Sequence, residues 1–404
     1  MKAEIKHIPG GVTAPLGYQA AGAACGLKKS GAADIALVVS KPPAKARCLF
    51  TTNKVKAAPV LVSMKNAAAK NVGAIIINSG NANACTGEKG IKDAVEMCEK
   101  TKRALGFADE KVLVASTGII GVPLPMDNVL TGIEAAVSKL SAEGGRAAAE
   151  AIMTTDTVPK ENAVEVAIGK KKIRIGGMAK GAGMIAPDMA TMIAVVTTDA
   201  DICAKALDQA VKEAVDVSFN SITIDGDMST NDTVAVLANG AADNTHILMD
   251  TKGYGSFADG LTTVMSDLAE QMVRDGEEAT KFIKVTVKGA ATPAEAKSAA
   301  KAIAESVLVK CAFFGGDANW GRIAAAAGAA GADFDQQRLD ISLNNEPIMN
   351  GGEGVIFCAE TIKEIMKNGE ITVCVNLNAG KARATVLTTD LSVEYVKFNA
   401  HYRT

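Results

Sequence analysis

The sequence predicts an α/β protein, and three observations carry that expectation. Short runs rich in Ile, Val and Thr alternate with longer stretches of helical periodicity. Segments 164–168 and 171–175 flank Gly169-Lys170 as the arms of a hairpin, so at least one sheet contains antiparallel pairing. At 404 residues the chain exceeds the size at which a single core stops growing, which leaves two domains or one large two-layered body.

In chain order, the first strand falls at 74–78, an apolar run closed by Ser79-Gly80. A helix over 88–104 brings Ile91, Ala94, Val95 and Cys98 to one face, and Val-Leu-Val-Ala at 112–115 is the next strand. Helix 127–142 repeats the spacing with Val129, Ile133 and Ala136. The hairpin arms follow, with Val164, Val166 and Ile168 alternating in one and Ile173 and Ile175 in the other. The next strand is the β-branched run 192–197, and helices at 202–217 and 257–273 flank another at 233–238. Strand 283–287 alternates apolar and polar residues; helices at 293–308 and 359–367 and a strand at 372–377 complete the pattern. No repeat or Pro/Ser-rich linker marks a division. The boundary is therefore placed near residue 280, after the Asp275-Gly276 turn, giving a larger domain of residues 1–280 and a smaller one of residues 281–404.

Composition removes several classes of function. The 43 basic and 45 acidic side chains nearly cancel without long like-charge blocks, which argues against nucleic acid or an anionic membrane as partner. Aromatic residues make up only 4%, so no stacking platform for bases is expected. The opening Met1-Lys-Ala-Glu-Ile-Lys-His7 is charged where a secretory signal needs an apolar core, and no 18-residue uncharged apolar span occurs. A cytoplasmic protein is expected. Eight scattered cysteines without a Cys-x-x-Cys pair read as buried apolar residues, and three distant histidines argue against a His-based triad or metal site. No metal site is expected.

The segment with most chemistry is 180–198, Lys-Gly-Ala-Gly-Met-Ile-Ala-Pro-Asp-Met-Ala-Thr-Met-Ile-Ala-Val-Val-Thr-Thr. Its Gly- and Pro-rich half delivers the Ala190–Thr191 bond to the head of a strand. A hydroxyl held there can attack its own preceding carbonyl. Hydrolysis of the resulting ester would free Thr191 as a new N-terminus, whose α-amine titrates at roughly pH 7.7–8.0 in model peptides and can serve as base to the hydroxyl beside it. On the residues alone, a strand-opening threonine without chemistry is the commoner case. Gly181-Ala-Gly183-Met-Ile-Ala186 lacks the helix and acidic residue of a dinucleotide fingerprint. Asp225-Gly-Asp-Met-Ser229 continues with Thr230 and Val236 where a calcium loop needs Gly and Glu, and reads as a polar loop.

The segment 180–198 resembles the self-processing site of the ornithine acetyltransferase family, the arginine-biosynthesis enzymes that move acetyl from N-acetylornithine to glutamate. Further matches run almost end to end: Asn78-Ser-Gly-Asn-Ala-Asn-Ala-Cys-Thr-Gly87, Ala115-Ser-Thr-Gly-Ile-Ile-Gly121, Met153-Thr-Thr-Asp-Thr157, Ser218-Phe-Asn-Ser221, Asp225-Gly-Asp-Met-Ser-Thr-Asn-Asp232, Arg274-Asp-Gly-Glu277, Asn319-Trp-Gly-Arg322 and Asn399-Ala-His-Tyr-Arg-Thr404. The resemblance implies a four-layer α-β-β-α sandwich of N-terminal-nucleophile-like type with a smaller second α/β domain. It implies cleavage between Ala190 and Thr191 into chains 1–190 and 191–404, acetylation of Thr191, and an oxyanion hole of Thr117 and Gly118. Substrate contacts carry over to Thr154, Lys180, Thr191, Glu277, Asn399 and Thr404, with Thr155 as the alternative to Thr154 if the match slips by one. Lys180 can also be read as a solvated loop lysine. The family further implies two copies of each processed chain, no bound cofactor, and acetyl-CoA as a second donor in some members. An amidase or aminopeptidase of related mechanism is the alternative. Three residues depart from the family pattern: Glu278 stands where Gly is usual, Asp188 where Asn is common, and Ala318 where Pro often is.

Overall fold

The computed structural model describes residues 4–69, 71–186 and 192–401. The chain up to Arg274 contributes β1 (Ile5–His7), β2 (Tyr18–Ala23), β3 (Ile35–Phe50), α1 (Ala58–Asn66), β4 (Val72–Asn81), α2 (Gly87–Ala104), β5 (Lys111–Ile119), α3 (Met126–Ser138), α4 (Gly145–Ile152), β6 (Lys160–Ile168), β7 (Lys171–Lys180), β8 (Ile193–Thr198), α5 (Ala204–Val217), β9 (Thr233–Ala238) and α6 (Lys252–Arg274). The rest of the chain contributes β10 (Phe282–Ala290), α7 (Pro293–Glu305), α8 (Val307–Phe314), α9 (Trp320–Gly328), β11 (Asp340–Leu343), β12 (Glu346–Asn350), β13 (Glu353–Gly354), α10 (Ala359–Lys367), β14 (Glu370–Asn376), β15 (Ala382–Thr389) and α11 (Val393–His401).

Strands β1–β9 form one hydrogen-bonded run that β3 folds into two facing sheets. The first half of β3 pairs with β2 and β4, and its second half, Lys45–Phe50, pairs with β9. Pro42 and Pro43, which lack ladder donors, lie between the halves. The central strands β4, β8 and β9 are buried on both faces and are accordingly near-continuous apolar runs. Along β8, Ile193 and Val195 enter the core between the sheets while Ala194 and Val196 enter the outer core beneath α5 and α6. In β4, Ile75 and Ile77 face between the sheets while Ala74 and Ile76 meet the helices α2 and α3. The layers are therefore helix, sheet, sheet, helix. The abundance of Ala serves the middle of this sandwich, where Ala148, Ala149 and Ala151 of α4 join the inter-sheet core. A Cβ at Gly22 of β2 would lie 2.2 Å from the Ala147 carbonyl oxygen, so only glycine admits that helix.

A separate six-stranded sheet, in the order β13-β12-β11-β14-β10-β15, pairs β10 with β14 in parallel and its other neighbours antiparallel. Its own core joins Ile283, Val285 and Val287 of β10 to Ala296, Ala299 and Ile303 of α7. The expected hairpin is present, with Val164 opposite Ile175 and Ile168 opposite Lys171. The helix expected at 293–308 is two helices, because Ser306 leaves helical conformation and its hydroxyl caps α8 by accepting from Val309 N. The helix expected at 127–142 stops at Ser138, since Ser141 exchanges backbone bonds with Ala20 instead. No helix among the described residues is long and apolar enough to cross a membrane.

Candidate active site

Parallel pairing of β4 with β5 sets Ser79 beside Thr117 and Gly80 beside Gly118, with a bulge at Gly80/Asn81. Gly118 has φ +130°, and a Cβ there would lie 2.3 Å from the Gly80 carbonyl carbon, so the close approach of the strand ends requires glycine. Buried side chains hold these ends: Ser116 Oγ donates to Asn78 Oδ1 at 2.6 Å, and Asn231 Nδ2 donates to the carbonyls of Ala82 and Ser116. Across the site, Lys180 is the last residue of β7 and pairs with Ile193, the first of β8. It is 2% exposed, and its Nζ donates to Thr117 Oγ1 at 3.4 Å. The solvated alternative for Lys180 is thereby overturned, because strand pairing carries it inward. Burial pushes its ammonium below the ordinary lysine range, against the pull of Asp156 at 4.0 Å.

Asp156 organises this wall. It accepts from Thr154 N at 3.0 Å, Gly181 N at 2.7 Å and Lys160 Nζ at 2.6 Å. Burial opposes its ionisation, but Lys180, Lys160 and these donors outweigh that and hold its carboxyl at about 2. On the facing side, Glu277 N donates to the Ala182 carbonyl at 2.8 Å, and Glu277 Oε2 accepts from Asn399 Nδ2 at 3.1 Å. A Cβ at Gly183 would fall 2.4 Å from the Glu277 carboxyl, so the glycine loop makes room for that side chain. Glu278 has φ +52°, in the left-handed region that favours glycine. The backbone keeps a glycine-like conformation at a strain of roughly 1–2 kcal/mol, and Glu277 keeps its place.

These walls enclose a cleft of about 250 Å³ lined by Thr117, Gly118, Thr154, Thr155, Lys180, Glu277 and Asn399, among others. Six of the expected site residues are thus brought together from strands, loops and the C-terminal helix, and Thr155 lines the cleft beside Thr154. Ala190, Thr191, Asp188 and Thr404 lie outside the described residues. Met192, which follows Thr191, is buried and its N–H donates to Asp232 Oδ1 at 2.9 Å.

A model of the ArgJ family matches residues 19–404. The chain belongs to the ArgJ family. This family member is 51% identical to an arginine biosynthesis bifunctional protein ArgJ from Symbiobacterium thermophilum over 99% of this chain and 100% of that one. It is 48% identical to the protein of the same name from Geobacter sulfurreducens over 96% and 99%. Among solved structures, ArgJ from Bacillus halodurans matches with a TM-score of 0.50 and 39% identity, covering 52% of this chain and 98% of that chain. Ornithine acetyltransferase from Mycobacterium tuberculosis, solved with ornithine, matches with a TM-score of 0.42 and 43% identity, covering 46% and 98%.

The ArgJ cleft also has walls that the sequence did not single out as site residues. Asp225 accepts from Met184 N at 2.6 Å, Ile185 N at 2.8 Å and Tyr395 OH at 2.9 Å. It therefore ties the glycine loop to α11, and burial lifts its carboxyl above the ordinary range while these donors pull it back. Tyr395 lies one helical turn before Asn399, and both reach the cleft. That i, i+4 spacing puts Tyr395 on the same helix face as Asn399 and is the signal in the sequence that marks it.

Proposed function

We propose that this ArgJ protein is a self-cleaving acetyltransferase. Thr191, freed by cleavage from Ala190, takes acetyl from N-acetylornithine as an ester; ornithine leaves, and the amine of glutamate attacks the acetyl-enzyme. The observation that carries this reading is the convergence of Thr117, Gly118, Thr154, Lys180, Glu277 and Asn399 on one cleft, beside the strand whose head follows Thr191. Thr117 Oγ1 and Gly118 N–H, at the end of β5, supply two donors for the oxyanion. Lys180 suits the α-carboxylate shared by donor and acceptor, because its ammonium is a compact point charge. Glu277, oriented by Asn399, suits an amino group, and Thr154 completes the set. One clamp serving two amino-acid substrates in turn gives ping-pong kinetics.

The names of the relatives support a place in arginine biosynthesis and a second activity, for which acetyl-CoA is the donor we assign. The length of the solved Bacillus halodurans chain supports cleavage: it covers 52% of this chain, close to the share that a 214-residue piece of the 404 would cover. We assign the processed protein two copies of each piece, a cytoplasmic location, and a domain division near residue 280.

The test is the intact mass of denatured protein before and after incubation with N-acetylornithine. Pieces of 190 and 214 residues, the second gaining one acetyl group, are expected. Thr191→Ala should remain a single 404-residue chain without transferase activity. A cleaved, active Thr191→Ala protein overturns the mechanism.

A further inference from the structure

Asp232 stands immediately before β9 and is fully buried. Its Oδ1 accepts from Met192 N, whereas its Oδ2, also buried, has no hydrogen-bond partner among the described residues. The parallel register that sets Ile193 beside Thr233 places the residues before them side by side, and Thr233 N donates to Met192 O at 3.0 Å. Leaving a buried oxygen unpaired is costly, so its retention calls for an explanation. The Thr51 hydroxyl, just after β3, which donates to the Ser229 carbonyl at 2.7 Å, and the Lys180 ammonium at the end of β7, itself drawn to Asp156, both favour the charged form of Asp232. Burial outweighs them all and pushes the Asp232 carboxyl well above the usual carboxylate range, which favours its protonated form. The proton belongs on the oxygen that Met192 leaves free.

Met192 N, which Asp232 binds, belongs to the residue that follows Thr191 in the chain, and the Thr191 nitrogen is the atom that must gain a proton when the Ala190–Thr191 bond breaks. We infer that Asp232 donates the proton to the nitrogen that leaves when the Ala190–Thr191 peptide breaks. This rests on the self-cleavage proposed above. In the step, the bond from Thr191 Oγ to the Ala190 carbonyl carbon forms, and the carbon–nitrogen bond breaks with its electron pair going to nitrogen. Asp232 Oδ2 gives its proton to that nitrogen, and the proton released by the hydroxyl restores the carboxyl. The net change is one proton moved from oxygen to nitrogen. Water then splits the ester, which yields the Ala190 carboxylate and regenerates the Thr191 hydroxyl. Without a donor the amine would have to leave as a strongly basic anion, and a positioned acid contributes roughly 10²–10⁴-fold to such steps.

The full chain is translated in a cell-free mixture, and its conversion to the two pieces is timed by denaturing mass spectrometry across a pH series. The expected result is wild-type cleavage that slows as pH rises and the carboxyl loses its proton. Asp232→Asn, which keeps an acceptor for Met192 N–H, should cleave on the order of 100-fold more slowly, with wild-type circular dichroism and no such pH dependence. Asp232→Glu should recover part of the rate. An Asp232→Asn chain cleaving at the wild-type rate overturns the assignment and leaves self-cleavage standing; a wild-type chain that never cleaves overturns self-cleavage itself. Should Asp232→Asn fail to fold, Asp232→Ser, which is smaller and keeps an acceptor for Met192 N–H, decides in its place: cleavage at the wild-type rate excludes Asp232 as donor.

Discussion

Lys160 is fully buried and bridges two carboxylates, Asp156 and Asp275, each at 2.6 Å. Lys160→Met keeps the apolar stem and approximate length of the side chain but removes the cation, leaving two carboxylates facing each other in the interior. Breaking a buried pair by deleting one partner costs about 3–5 kcal/mol, because the charge left behind is uncompensated. At roughly 2–4 °C per kcal/mol for a body of this size, the melting temperature should fall by about 6–20 °C. The loss also reaches the cleft. Asp156 holds Thr154 N and Gly181 N, and Asp275, two residues before Glu277, accepts from Thr157 N at 3.0 Å. Repulsion between these anchors should loosen both substrate walls, raising KM for N-acetylornithine more than it lowers kcat. Thermal circular dichroism and steady-state kinetics on the same preparation measure both effects. A variant that melts within about 2 °C of wild type, below the shift expected from even a 1 kcal/mol loss, with an unchanged KM, would refute the view that this buried triad organises the site.

Three further outcomes follow from the same geometry. Thr117→Ala should lower kcat by about 10²-fold, roughly 3 kcal/mol, with little change in KM, since an oxyanion donor acts in the transition state; single-turnover acetylation measures it. Gly183→Ala should raise KM severalfold while the fold persists, because its Cβ would overlap the Glu277 carboxyl; titration with ornithine should show the same weakening. Acid should destabilise the protein through Asp156, whose folded carboxyl is held at about 2. A depressed carboxylate stabilises the fold above its unfolded value near 3.9, and that share, roughly 2 kcal/mol, is lost as pH falls from about 4 to about 2. Urea midpoints of wild type and Asp156→Asn measured between pH 6 and pH 3 should converge toward acid, and parallel curves would refute this.

How much of the molecule was legible depended on whether a residue's meaning was local. Strands β4, β8 and β9 are buried on both faces, so each announces itself as an unbroken apolar run, and the β6–β7 hairpin is marked by Gly169 at φ +62°. Strand β3 escaped because Pro42-Pro43 interrupts it, although the same interruption lets one strand serve two sheets. Helix α4 escaped because it is only eight residues long and its buried face is mostly alanine, Ala148, Ala149 and Ala151 with Ile152, which gives too short and too weakly apolar a stripe to stand out. The cleft divides in the same way. Thr117, Gly118 and Glu277 sit in short motifs, whereas Lys160 takes its meaning from Asp275, 115 residues away, and Asp225 from Tyr395, 170 residues away. Lys180 is the instructive case: in sequence it is a lysine beside a glycine turn, and only the pairing with Ile193 turns it inward. Asp232 follows the same logic from the other side of β8, since parallel pairing with β9 sets its carboxyl against Met192 N. Strand register, which no single segment encodes, thus places both a cation and an acid at the end of β8 that follows Thr191.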